Sequence, residues 1–143
     1  MSQTDLDHAP TGQGALLASV RALLAAVFGR LLADASVSNI LILPPTGAEG
    51  GPARVLVRDG AGLHLSHTVP VAEVRRLLAY LAGLARRELR PGRATLDAVM
   101  PGGERLHAVI DPIAPGPAVA VRKPLPGRVT LDDWCAWGAL SPA

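Results

Sequence analysis

The sequence predicts an α+β fold: a mostly antiparallel sheet of about five to six short strands, with an N-terminal helix, a middle helix and a short C-terminal helix packed on it. Three observations lead there. Two stretches repeat apolar residues at three- and four-residue spacing, the signature of helices that bury one face. Several short apolar or alternating runs are separated by Gly, Pro and Asp-Gly turn signals. Finally, 49% of the chain is hydrophobic but only 3% is aromatic, so the core is built from Leu, Val, Ile and Ala.

The chain has 143 residues, the length of one domain that can bury a core without disulfides or metal. Its formal charge is only +2, and a bulk charge that small does not argue for nucleic acid. All but one of its 14 basic residues are arginine, Lys123 being the exception. The lone Cys135 excludes an intramolecular disulfide and any multi-cysteine metal site, and suits a reducing compartment.

Residues 1–13 are expected to be a flexible tail, being polar and without periodicity. Their acidic character is the wrong sign for a secretory leader. From Ala15, Leu16, Leu17, Val20, Leu23, Leu24, Val27, Phe28, Leu31 and Leu32 form one helical stripe. This run approaches membrane-spanning length, but Arg21 and Arg30 would be costly at mid-bilayer, which favours a soluble helix. Asn39–Leu43 is a buried strand ended by Pro44-Pro45. Arg54–Arg58 alternates as a half-buried strand does, Asp59-Gly60 turns the chain, and Leu63–Ser66 returns. His64 and His67 lie near that strand without the further ligands a metal site needs, and are expected to face solvent.

Pro70 opens the middle helix, with Thr68 as a plausible cap. Val71, Val74, Leu77, Leu78, Leu81 and Leu84 make its stripe, and Pro91-Gly92 is expected to stop it. On that reading Arg75, Arg76, Arg86, Arg87 and Arg90 share one helix, mainly as a solvated face whose last-turn arginines complement the helix dipole. Ala94–Met100 and Glu104–Ile110 read as a hairpin around Pro101-Gly102-Gly103, and Ala118–Arg122 as a strand delivering Arg122 and Lys123 to its end. Thr130 caps a final helix with Asp133 as its capping-box partner. Trp134 and Trp137 follow, a contact surface in an aromatic-poor chain.

The Pro-Gly-Gly-Glu-Arg turn (Pro101–Arg105), the proline-containing loop, Arg122-Lys123-Pro124 and the Thr-Leu-Asp-Asp helix start (Thr130–Asp133) resemble the amino-terminal domain of the traffic ATPases of type IV secretion and conjugal transfer. The resemblance implies a PAS-like arrangement of the sheet and helices, with 14–128 as the domain and 129–143 as a helix leading toward a motor domain. It also implies a ring, usually a hexamer, whose amino-terminal tier faces RecA-like motor domains with ATP and magnesium between them. Homo-oligomer contacts, a motor domain and the inner-membrane secretion machinery are the implied partners, at a cytoplasmic or peripheral inner-membrane location.

By motif position, Arg105 and Arg122 are the candidates for phosphate contact in such a cleft. A guanidinium suits that role because its planar fork pairs with phosphate oxygens and stays charged. The sequence contains no Gly-Lys-Ser/Thr phosphate loop, so no catalysis is expected from this chain alone; the family's catalytic machinery belongs to the motor domain. Two other readings are a piece of a complete ATP-hydrolysing motor, and a standalone adaptor that binds an anionic partner through a Arg75–Arg90 helix.

Overall fold

In a computed structural model, residues 12–47, 50–124, 130–139 and 141 are described. Helix α1 (Gly12–Phe28) leads into strands β1 (Asn39–Leu43), β2 (Ala53–Asp59) and β3 (Gly62–Val69). Helix α2 (Val71–Leu84) carries the chain to β4 (Thr95–Val99), β5 (Arg105–Val109) and β6 (Ala118–Arg122), and α3 (Leu131–Ala136) follows. The six strands form one sheet in the order β3-β2-β1-β6-β5-β4. Every pairing is antiparallel. Two three-stranded meanders therefore lie side by side, joined where β1 meets β6, and α2 is the crossover between opposite sheet edges.

Strand alternation decides which face is buried. Ile40, Ile42, Val55, Val57, Leu96, Leu106, Ala108, Val119 and Val121 point into the core, where they meet Val20, Leu23, Val27 and Phe28 of α1 and Val74, Leu77, Leu78 and Leu81 of α2. The sequence-predicted stripes are thus the core stripes. The α1 helix starts at Gly12, inside the predicted tail, and residues 1–11 lie outside the described residues. It ends at Phe28, earlier than its stripe, because Gly29 takes a left-handed conformation (φ 57°) and donates its N–H to the Ala25 carbonyl at 2.9 Å. Leu31 and Leu32 still pack on the core, from turns.

Three local expectations are corrected. Thr68 does not cap α2: it lies in β3 opposite Arg54, and Pro70 alone joins β3 to α2, with no side-chain cap. The α2 helix ends at Leu84 rather than at Pro91-Gly92. Arg86 is left-handed (φ 51°), and the Arg87 and Arg86 amides bond the carbonyls of Ala82 (2.8 Å) and Gly83 (3.1 Å), a Schellman closure in which glycine is the usual residue. Pro91-Gly92 instead turns the chain between Arg90 and Arg93, which pair as an isolated bridge. Finally, His67 does not face solvent. The pairing of β2 with β3 shifts register between Val55 and Leu56, so Ser66 is an extra residue and the alternation breaks. This turns His67 toward α1, where Nε2 donates to the Val27 carbonyl at 2.9 Å and Nδ1 accepts from the Ser66 hydroxyl at 2.9 Å.

Candidate functional site

The face of the sheet turned away from the helices stays accessible, and register gives it order. One row across the six strands is Val99, Arg105, Arg122, Asn39, Arg58 and Leu63. The neighbouring row is Asp97, His107, Ala120, Leu41, Leu56 and Leu65. The two candidate phosphate contacts, Arg105 and Arg122, are brought together: they are direct cross-strand partners on β5 and β6. Both are exposed.

Like charges directly opposite one another on a sheet are unfavourable. Among the described residues no carboxylate pairs with either guanidinium, whereas Arg75 binds Asp111 at 2.9 Å, Arg76 binds Glu73 at 3.4 Å and Arg90 binds Glu88 at 3.1 Å. With Gly103, Lys123 and Pro124 the two arginines line an open depression of about 290 Å³. Such an arrangement can hold a tetrahedral anion between two guanidinium forks.

The Gly-Gly turn beside the site owes its shape to Glu104, the one buried charged residue among those described. A β-carbon added at Gly102 would stand 2.4 Å from Glu104 Oε1, so the carboxylate lies over a residue that has to be glycine unless Glu104 moves. The Glu104 carbonyl accepts from the Met100 amide at 2.8 Å, which closes the turn and sets Arg105 as the first residue of β5.

Lys123 is next to Arg122 but has a different job. Its ammonium donates to the Leu31 carbonyl at 3.2 Å and to the Asp34 carbonyl, while its amide donates to Ser38 at 2.9 Å. It ties the turns after α1 to the end of β6 and so helps hold Arg122 in place. The Asp34 carboxyl is held below its usual range, first by the Ser36 hydroxyl and amide and to a smaller degree by the Lys123 charge.

The five arginines expected on one helix are not together. Arg75 and Arg76 are on α2 and carry ion pairs, while Arg86, Arg87 and Arg90 lie beyond its end. The notion of a continuous Arg75–Arg90 helix as an anionic-partner surface therefore has no such helix to rest on. A histidine–carboxylate pair escaped the sequence reading. His107 Nδ1 lies 2.6 Å from Asp97 Oδ1 across the β4–β5 ladder. The signal available was the alternation that puts His107 on the same face as Arg105; the Asp97 partnership needed the register. His64 stands 3.6 Å from Asp59, and no cluster of three or more metal-ligating side chains exists among the described residues.

The final helix keeps its predicted capping box. The Thr130 hydroxyl accepts from the Asp133 amide at 3.2 Å, and Asp133 accepts from the Thr130 amide at 2.7 Å and its hydroxyl at 2.8 Å. These bonds hold the Asp133 carboxyl below its ordinary value. The α3 helix buries none of its residues, and Trp134 and Trp137 are 48% and 64% exposed, so neither tryptophan enters the core.

No family model and no curated protein matches this sequence. Among solved structures, it superposes with a TM-score of 0.69 on the VirB11 ATPase from the Brucella suis type IV secretion system, solved in complex with sulphate. The two share a fold. The match covers 89% of this chain at 23% identity, and the chain spans 37% of that ATPase's length. The shared fold presents Arg105 and Arg122 side by side on its open sheet face. Among the described residues no helix is long and apolar enough to cross a membrane.

Proposed function

We propose that this chain serves as the amino-terminal assembly and nucleotide-cleft module of a traffic ATPase of the type IV secretion and conjugal-transfer kind. Arg105 and Arg122 contact the phosphates of a nucleotide whose binding loop belongs to a motor domain. The observation that carries this reading is the direct opposition across β5 and β6 of two exposed arginines that pair with no carboxylate among the described residues. That arrangement breaks a local rule of sheet stability, and such breaks concentrate at functional sites. An anion between the two forks removes the repulsion.

On this reading ATP and magnesium are bound chiefly by the motor domain, whose phosphate loop supplies the catalytic chemistry. Within this chain, the two guanidinium groups bind and orient phosphate oxygens. Because they approach from a separate domain, they also link phosphate state to domain position. A hexameric ring of such modules, in contact with cytoplasmic or peripheral inner-membrane secretion components, follows from the same proposal.

The test joins this chain to a RecA-like motor domain carrying a Gly-Lys-Ser/Thr loop and measures ATP affinity and hydrolysis. A charge-assisted hydrogen bond contributes about 1.5–3 kcal/mol, so Arg105→Ala or Arg122→Ala should each weaken ATP about tenfold or more. Unchanged ATP affinity and turnover in the Arg105→Ala/Arg122→Ala double variant would sink the reading.

A further inference from the structure

Two residues beyond Arg105 on β5, His107 points from the same face of the sheet. Its cross-strand neighbours are Asp97 on β4 and Ala120 on β6. The Asp97 carboxylate can only accept, so the 2.6 Å contact fixes Nδ1 as the donor. Among the described residues the other ring nitrogen, Nε2, has no hydrogen-bond partner. On the β6 side the small Ala120 leaves the floor open. The result is a depression of about 190 Å³ lined by Asn39, Asp97, Arg105, His107, Ala120 and Arg122, among others. Arg105 and Arg122 thus border both this depression and the one beside Lys123.

We propose that His107, oriented by Asp97, is a third ligand of the anion held by Arg105 and Arg122, donating from protonated Nε2 to one of its oxygens. The inference rests on the two-arginine reading above and deepens it. Two guanidinium groups and an imidazolium border this one depression, and an anion that meets both forks and the ring is best served by three or more oxygens. That selects a phosphoryl or sulfuryl group over a carboxylate. It also makes the site sensitive to pH near neutrality, because only the imidazolium has an N–H to offer at Nε2.

The charged groups around His107 fix the sense of that response. From β4, Asp97 favours the imidazolium. Arg105 on its own strand and Arg122 on β6 oppose it, and Arg87, which shares a further depression with Asp97 and Arg105, adds to that opposition. Without an anion the positive groups outnumber the carboxylate. A bound dianion reverses the balance, so anion binding and protonation of His107 reinforce each other.

Inorganic sulfate is a suitable probe, since its charge is constant while His107 titrates. The full chain is titrated with sodium sulfate at constant ionic strength between about pH 5.5 and 8, following backbone, arginine and imidazole resonances by NMR. Sulfate should move Arg105, Arg122 and His107 with one common saturation curve, and leave His64 and His67 in place. The dissociation constant should rise about threefold or more across that range. His107→Gln should retain binding at the arginines but flatten the pH dependence, and Asp97→Asn should move it to lower pH. If sulfate shifts both arginines but leaves the His107 resonances in place, or if His107→Gln keeps the same pH dependence as the wild type, this proposal is overturned and the two-arginine reading stands. If sulfate shifts neither arginine, both fall.

Discussion

Arg86 offers a direct check on why α2 stops where it does. It holds a left-handed conformation at φ 51° so that the Arg87 and Arg86 amides can reach the carbonyls of Ala82 and Gly83. A side chain in that region costs about 1–2 kcal/mol. Glycine removes this strain, and its greater freedom in the unfolded chain takes back about 0.5–1 kcal/mol. Before the charge of Arg86 is counted, the change to glycine therefore gains about 0.5–1 kcal/mol, worth about 2–4 °C in melting temperature. Arg86 also carries a positive charge beside the helix C-terminus, which contributes about 0.3–1 kcal/mol of the opposite sign. Arg86→Ala separates the two effects, since it loses the charge and keeps the strain. Urea titrations of the three proteins should place both the glycine variant and the arginine parent above the alanine variant, with unchanged slopes. A glycine variant no more stable than the alanine variant would refute the strained-closure account of this helix end.

Two further outcomes follow from the connections around the site. Lys123→Met keeps the aliphatic stem but removes the bonds to the Leu31 and Asp34 carbonyls, and should cost about 1–2 kcal/mol in urea unfolding. It should also raise the carboxyl pKa of Asp34 toward 3.8, but by less than Ser36→Ala does, because Ser36 is the larger cause; equal shifts in an NMR titration would contradict the assignment. In α3, folding holds Asp133 below its ordinary 3.8, so the unfolded helix takes up a proton first as pH drops. The stabilisation is fully present above the ordinary carboxylate range and is lost as pH falls through the depressed folded value. Trp134 and Trp137 fluorescence should report that fraying, and Thr130→Ala should weaken its pH dependence without abolishing it, because the backbone N–H of residue 130, the larger cause, still donates to Asp133; a flat wild-type signal across the carboxylate range would count against the capping box.

The parts of the fold that were legible beforehand share a cause: they are local. The stripes of α1 and α2 repeat with the helical period, β1 is an uninterrupted apolar run, and Thr130 with Asp133 forms a cap within four consecutive residues. The errors arise where a distant partner or an unusual backbone state overrides the local pattern. Thr68 was needed by the ladder opposite Arg54, leaving only Pro70 to start α2. The end of α2 carries no glycine at its left-handed position, so nothing in the composition marked it. His67 was displaced by a bulge that exists only relative to β2.

The sequence by itself determined the fold class, the strand and helix stripes that make the core, and the two arginines worth following, because periodicity and motif position are properties of neighbouring residues. Only the tertiary structure decided what those arginines face. Register sets Arg105 opposite Arg122 and His107 opposite Asp97, and among the described residues it leaves both guanidinium groups without a carboxylate while Arg75, Arg76 and Arg90 each find one. Residues as far apart in sequence as Asn39 and Arg122 become neighbours through strand pairing, and that pairing is chosen by the whole buried face of the sheet rather than by any single stretch.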